Sequence, residues 1–388
     1  MEVQGDADTA LKVVMRKPAD MHQHVRTGAT LELVAPMVRA RFATFVAMPN
    51  TQPDYITTSD ALVAYHSEIV GAMFPEWSAR GYKPGKDPDR VPDCLMTLYF
   101  TDALEPKEIE HSLPYPFAGV KYYPRGLTTN SDKGIADPAS LWTPGTKAYE
   151  VVRMLADSDK VLLMHGADGL DKDRHELDPF EQEPHFFRET LPRTMDAHPD
   201  AKISVEHLST AVGAEFIRNH GSERLGCSLT PHHLLLDRRD VLRGGFNPHR
   251  YWLPPIQSSE HKEELRRLAA EDHPFVWLGS DSAPHTVDKK QAACCAGGVL
   301  TAHAGIELYV EAFEDMGALD DRFERFASVN GPRFYGYEPS GEKITLIREE
   351  WKFNNFFCLS TDVSQRLNPE QNIRPFRLGE PIRWKLAV

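Results

Sequence analysis

PFVWLGSDSAPH, residues 274–285, is the stretch that decides how this chain folds. An apolar run of strand type, FVWLG (275–279), gives way at once to small and polar residues, among them Asp281 and His285. A second stretch has the same character. DMHQHVR (20–26) places His22, His24 and Arg26 past another apolar run, LKVVM (11–15), and its KPAD connection. Side chains of an extended chain alternate between two faces, so a His-x-His pair presents both rings on one side. Two co-facial imidazoles and a carboxylate from far along the chain are a donor set suited to a hydrolytic metal site. The fold then has to return residue 281 to the neighbourhood of residues 22 and 24.

Six further apolar runs lie between these two: ATFVAM (43–48), CLMTLYF (94–100), AGVKYY (118–123), VLLMH (161–165), ISVEH (203–207) and LGCSLT (225–230). Helical patterns separate most of them. In TTSDALVAYHSEIVGAM (57–73), Thr58 or Ser59 can cap a helix whose Leu62, Tyr65, His66 and Ile69 share a face. PGTKAYEVVRMLADS (144–158) and SSEHKEELRRLAAED (258–272) read the same way. Short buried strands alternating with helices pair in parallel, and eight such units close a (β/α)8 barrel. No Gly-x-Gly-x-x-Gly opens a helix, which disfavours a dinucleotide-binding sheet. The expected class is therefore α/β: a (β/α)8 TIM barrel with a C-terminal extension packed on it. Residues 1–388 read as one domain, with a barrel core of about 11–335 and a tail of 336–388. ITLIREEWKF and PFRLGEPIRWKLAV in that tail read as extra strands or a docked segment, and 79–93, rich in Pro, Gly and charge, as a surface insertion.

Composition narrows the function. A net charge of −13 argues against a nucleic-acid or phosphoinositide surface. No apolar run approaches membrane-spanning length, and the polar first ten residues hold no signal-peptide core. Five cysteines without disulfide or Cys-x-x-Cys spacing suit reduced thiols, hence a cytoplasmic location.

In such a barrel the chemistry collects at the C-terminal ends of the strands. Asn50 follows the second run, Lys121 sits within the fourth, His165 ends the fifth, His207 ends the sixth, and Asp281 and His285 follow the eighth. One strand-end histidine is ordinarily structural. Four histidines and an aspartate at equivalent ends of different strands converge if the barrel forms. Lys121 stands out, because an unpaired ammonium in an apolar strand is costly. Either it snorkels to the barrel mouth or pairs with Asp281, or burial deprotonates it and the amine captures carbon dioxide as a metal-bridging carbamate.

These residues carry a resemblance. DMHQHVR, VAMPNTQP, GVKYYPRGLTTNS, LLMHG, VEHLST, LTPHHLL, YWLPPI, GSDSAPH and SVNGPRFYG resemble, in order and spacing, the class II dihydroorotases of the amidohydrolase superfamily, from about Lys17 to about Arg383. The resemblance implies reversible cyclisation of N-carbamoyl-L-aspartate to L-dihydroorotate, a step of pyrimidine synthesis. It implies two zinc ions per subunit: His22, His24 and Asp281 would hold one, and His165 and His207 the other. Carbamylated Lys121 and a hydroxide would bridge them. Arg26, Asn50 and His285 would bind the substrate carboxylate, and Thr128 and Thr129 would lie on a closing loop. The backbones near Leu253 and at Ala296 and Gly297 would touch the pyrimidine ring, and Asp281 would carry the proton. A small-molecule substrate and a homodimer are implied, with no nucleic-acid or membrane partner. Gln23, Thr27, Ala167 and the segment 167–183 depart from the family's usual pattern.

Two rival readings are a hydantoinase-like cyclic-amide hydrolase and a non-catalytic barrel serving assembly. Arg26, Asn50 and His285 disfavour the first, since a neutral ring needs no carboxylate clamp. The full donor set disfavours the second. His232 and His233 read as structural, Cys294 and Cys295 lack metal-ligand spacing, and WKFNNFF (351–357) reads as tail packing or a subunit contact.

Overall fold

The computed structural model describes residues 1–4, 10–75, 93–359 and 369–387. The expected surface insertion at 79–93 lies outside these residues except for Asp93. Fourteen strands are found among them: β1 Glu2–Gln4, β2 Lys12–Arg16, β3 Ala19–Gln23, β4 Thr44–Ala47, β5 Asp93–Phe100, β6 Phe117–Tyr122, β7 Val161–His165, β8 Lys202–Glu206, β9 Leu225–Leu229, β10 Val276–Leu278, β11 Lys343–Ile347, β12 Trp351–Lys352, β13 Pro381–Ile382 and β14 Lys385–Leu386.

Strands β3 to β10 form one sheet in chain order, each parallel to its neighbour. Residue 23 bridges residue 282, just past β10, and so closes the ring. Between β6 and β7 the backbones leave no room for a side chain at Gly119: a Cβ there would lie 1.8 Å from the Val161 carbonyl oxygen, so only glycine fits. The predicted helices form at Ser59–Met73, Lys147–Asp157 and Ser259–Ala270. Thr58 and Thr146 cap the first two, each hydroxyl accepting the amide three residues on. Leu62, Tyr65, His66 and Ile69 face inward as expected.

One expectation is corrected. LKVVM is not a barrel strand. It forms β2, which lies in a separate antiparallel sheet ordered β1-β2-β11-β14. The first barrel strand is β3, ADMHQ, in the stretch placed beyond a strand. Its polar residues disguise it, while β2 alternates in the way of a half-buried strand, with Val13 and Met15 inward. The C-terminal segment is joined to the same sheet: Lys343–Ile347 pairs along the whole of β2, and Leu346 and Trp384 are buried. WKFNNFF packs locally, Phe353 stacking on Phe357 and Trp351 donating its indole N–H to the Trp384 carbonyl at 2.6 Å. No described helix is long and apolar enough to cross a membrane.

Candidate metal centre and substrate pocket

Ring closure assembles the centre. The Asp281 amide donates to the His22 carbonyl at 2.9 Å, and the His24 amide donates to the Ser282 carbonyl at 3.1 Å. Asp20 reinforces the seam, accepting the Ser280 amide at 2.8 Å and the Ser280 hydroxyl at 2.5 Å. The Gln23 amide group lies 2.9 Å from the same hydroxyl oxygen. The polar content of β3 thus serves a buried seam. The Asp281 carboxylate is brought 3.5 Å from His22 Nε2 and 3.1 Å from His24 Nε2. Asp281 (φ 46°), His207 (φ 45°) and Arg26 (φ 63°) are all left-handed. Each costs about 1–2 kcal/mol for a residue with a Cβ, and such strain gathers where side chains must be aimed.

The other predicted donors meet the same cluster. His165 ends β7 and His207 follows β8; His165 Nδ1 lies 3.1 Å from His207 Nε2. The His22 and His207 ring centroids are 5.0 Å apart. Burial, reinforced by the Lys121 charge, pushes the pKa of His22, His165 and His207 well below the usual range, which favours the neutral rings that metal ligation needs. Burial does the same at His24, where Arg26 is the next contributor. Lys121 is fully buried and its Nζ has no hydrogen-bond partner. Burial pushes its pKa down to about 8 against the pull of Glu206 and Asp281. Burial raises Asp281 to about 7, opposed by Lys121 and Arg26.

Three carboxylates were missed in the sequence. Glu206 is buried, and its carboxylate lies 2.5 Å from His22 Nδ1, which fixes the ring's orientation. Its signal was present: an acid inside the apolar run ISVEH is as anomalous as Lys121. Glu183 accepts the Ser209 amide at 3.0 Å, the Ser209 hydroxyl at 2.7 Å and the Thr210 amide at 2.8 Å, holding the turn after His207. Asp168 accepts from Thr190 at 2.8 Å and lies 2.8 Å from His185 Nδ1. The atypical segment 167–183 is therefore anchored at both ends, by Asp168 and Glu183. These two had no strand-end position to mark them.

A small cavity of about 20 Å³ is lined by His22, His24, His165, His207 and Asp281 together with Arg26, Asn50, Thr128, Thr129, Leu253 and Gly297. Tyr123 also lines it and was not anticipated. His285 and Ala296 line the adjoining outer opening, which Arg26 and Thr129 share. Arg26 Nη2 lies 3.1 Å from His285 Nε2, and the Tyr65 hydroxyl donates to the Arg26 carbonyl at 2.9 Å. The loop carrying Thr128 and Thr129 is docked over the cavity: Asn50 donates to the Thr129 carbonyl at 3.2 Å, and the Gly297 amide donates to the Thr129 hydroxyl at 3.0 Å. His232 stacks on Trp252, and His233 contacts the Thr230 hydroxyl and the Pro254 carbonyl, in keeping with structural roles.

The donor set suits metal ions. Neutral imidazoles and a carboxylate converge in a buried space, and Lys121 Nζ, His24 Nδ1 and His207 Nδ1 are buried without partners. The closed parallel barrel carries this cluster at the C-terminal ends of its strands, where a metal-dependent hydrolase would hold its ions.

No protein-family model matches the chain. It is 37% identical over 378 residues to the dihydroorotase of Marinobacter nauticus, covering 97% of this chain and 99% of that protein. Among solved structures, the dihydroorotase from Saccharomyces cerevisiae in complex with 5-fluoroorotic acid is similar with a TM-score of 0.81 and 26% identity, covering 97% of this chain and 98% of that one. The L-hydantoinase (dihydropyrimidinase) from Arthrobacter aurescens reaches a TM-score of 0.69 at 17% identity, covering 97% of this chain and 83% of that one, a likeness of fold alone. This chain belongs to the dihydroorotase family.

Proposed function

We propose that the chain interconverts N-carbamoyl-L-aspartate and L-dihydroorotate plus water, the third step of de novo pyrimidine biosynthesis. The observation that carries this reading is one cavity holding both the donor cluster and Arg26, with His285 beside the guanidinium. A cyclic-amide hydrolase for neutral rings has no use for that cation. The liganded yeast relative is consistent with it, since 5-fluoroorotic acid is a pyrimidine carboxylate.

His22, His24 and Asp281 would hold one zinc ion, and His165 and His207 a second. Lys121 would serve both as a carbamate, its neutral amine adding carbon dioxide and releasing one proton. Bound there, the ions would supply Lewis acidity for the amide carbonyl and a lowered pKa for water. Glu206 holds His22 in one orientation. Asp281 takes the proton from the attacking water and delivers it to the departing ring nitrogen; in synthesis it runs the same transfers backwards. Arg26, with Asn50 and His285, binds the α-carboxylate through charge-assisted hydrogen bonds. The backbones near Leu253 and at Ala296 and Gly297 seat the ring, and Thr128 and Thr129 cover it. The whole of 1–388 would act as one domain, with the barrel beginning at β3 and the tail of 336–388 joined to β2 beside it, working as a cytoplasmic homodimer.

The test is metal analysis with an assay of carbamoyl-aspartate consumption at mildly acidic pH, on wild type and Lys121→Ala. The expected result is two zinc ions and turnover in wild type, both lost in the variant and partly restored by short carboxylic acids. Full activity with two bound metals in the variant refutes the bridging role. A metal-loaded wild type inert towards both substrates refutes the activity.

A further inference from the structure

Lys290 is 2% exposed and closes the short helix Val287–Lys290 that follows His285. No carboxylate pairs with it among the described residues. Its three ammonium protons instead meet three backbone carbonyls: Tyr251 at 3.0 Å, Ala296 at 2.6 Å and Gly298 at 2.9 Å. A buried ammonium without a counter-charge is expensive, and this one is tolerated because every donor is used.

The three acceptors are not scattered. Ala296 and Gly298 flank Gly297, and Tyr251 precedes Leu253 by two residues. The Gly298 amide also donates to the Tyr251 carbonyl, at 3.0 Å. Lys290 therefore ties together the two backbone segments that form one wall of the cavity. It clamps the carbonyls on either side of Gly297, leaving the amide N–H and carbonyl oxygen of Gly297 itself to the closing loop. The loop meets both through the Thr129 hydroxyl, which accepts the Gly297 amide at 3.0 Å and donates to the Gly297 carbonyl at 3.1 Å. The wall has no slack: a Cβ on Gly297 would lie 3.0 Å from Leu253 Cγ, and one on Gly298, at φ 117°, would lie 2.6 Å from Ala283 Cβ.

We propose that Lys290 is a positioning residue for substrate recognition: its tripod of carbonyl contacts sets the Gly297 backbone and the Leu253 segment at the spacing the cyclic amide ring requires, and presents Gly297 to Thr129 when the loop closes. The proposal rests on the dihydroorotase reading. Lys290 touches neither the metal donors nor the reacting atoms, so its loss weakens ground-state and transition-state binding alike.

The test is steady-state kinetics in both directions for wild type, Lys290→Met and Lys290→Arg, with metal content and Tm measured on each. Lys290→Met, which keeps the unbranched apolar stem but donates nothing, should raise KM roughly tenfold or more with kcat within about threefold and metal content unchanged. Lys290→Arg should recover part of the KM. If Lys290→Met does not accumulate as folded protein, Lys290→Gln and Lys290→Arg carry the same split. A lowered Tm with wild-type KM makes Lys290 merely structural and overturns the proposal, as does a fall in kcat that tracks metal loss. Wild type inactive on both substrates overturns the activity reading instead, an outcome distinct from any ratio between active variants.

Discussion

Two neighbouring strands, β2 and β3, show opposite relations between how a sequence looks and what it does. KVVMR has the alternation of an ordinary strand; it lies outside the barrel and packs in an antiparallel sheet with the C-terminal segment. ADMHQ carries an acid, an imidazole and an amide in five residues; it is wholly buried and is the first stave of the barrel. Hydropathy reports whether side chains meet other apolar groups. It does not report burial as such, because polar groups can be buried when partners across a seam satisfy them. Asp20 with Ser280 and His22 with Glu206 are such partners. Apolar runs therefore locate packing, and an anomalous polar strand locates the chemistry.

This contrast can be broken by experiment. The largest effect belongs to the seam. Asp281→Asn keeps one ligating oxygen and the side chain's shape but cannot carry a proton, so turnover should fall by about 10²–10⁴ in both directions while part of the metal remains. A metal-replete variant working near the wild-type rate would move the proton transfer elsewhere, with His285 the first residue to examine.

Next is the outer sheet. Met15→Ala empties a fully buried position in β2 and should lower stability by about 2–5 kcal/mol, read from chemical denaturation. Its kcat and KM below the transition should match wild type. Altered kinetics there would mean that the outer sheet and the site are coupled, and the contrast between the strands would be too sharp.

Arg26→Met probes the pocket without the cluster. Losing a charge-assisted carboxylate contact should cost about 1.5–3 kcal/mol of binding, seen as a higher KM for carbamoyl-aspartate at unchanged metal content. An unchanged KM, with a neutral cyclic amide turned over as well by wild type, restores the hydantoinase-like reading.

The smallest effect tests the hidden partner. Glu206→Gln keeps a polar group beside His22 but removes the charge, and should weaken metal affinity by about 10–100-fold. Metal titration against a competing chelator measures it, and wild-type affinity would reduce Glu206 to filler.

Much of the site was legible because its residues are chemically out of place. Lys121 in an apolar strand, a His-x-His pair, and acids and imidazoles at successive run ends are all anomalies that one chain displays without its coordinates. Glu206 is equally anomalous, but it stands one residue before His207, whose strand-end position is the stronger signal. Glu183, Asp168 and Lys290 left no such mark. Glu183 and Asp168 lie in or beside helices and loops where charges are normal, and their importance comes from burial that distant segments impose. Tyr123 reads as one more aromatic at the end of a strand until the cavity forms beside it.

The sequence by itself determined the class of fold, seven of the eight barrel strands and the identity of the six candidate metal donors, because periodicity and residue chemistry are local properties. Only the tertiary structure decided which run is the first stave, how the seam between β3 and residues 280–282 is satisfied, and which buried charges steady the site. Those depend on contacts between residues as far apart as Asp20 and Ser280, and on partners that convert the cost of burying a polar group into a fixed geometry.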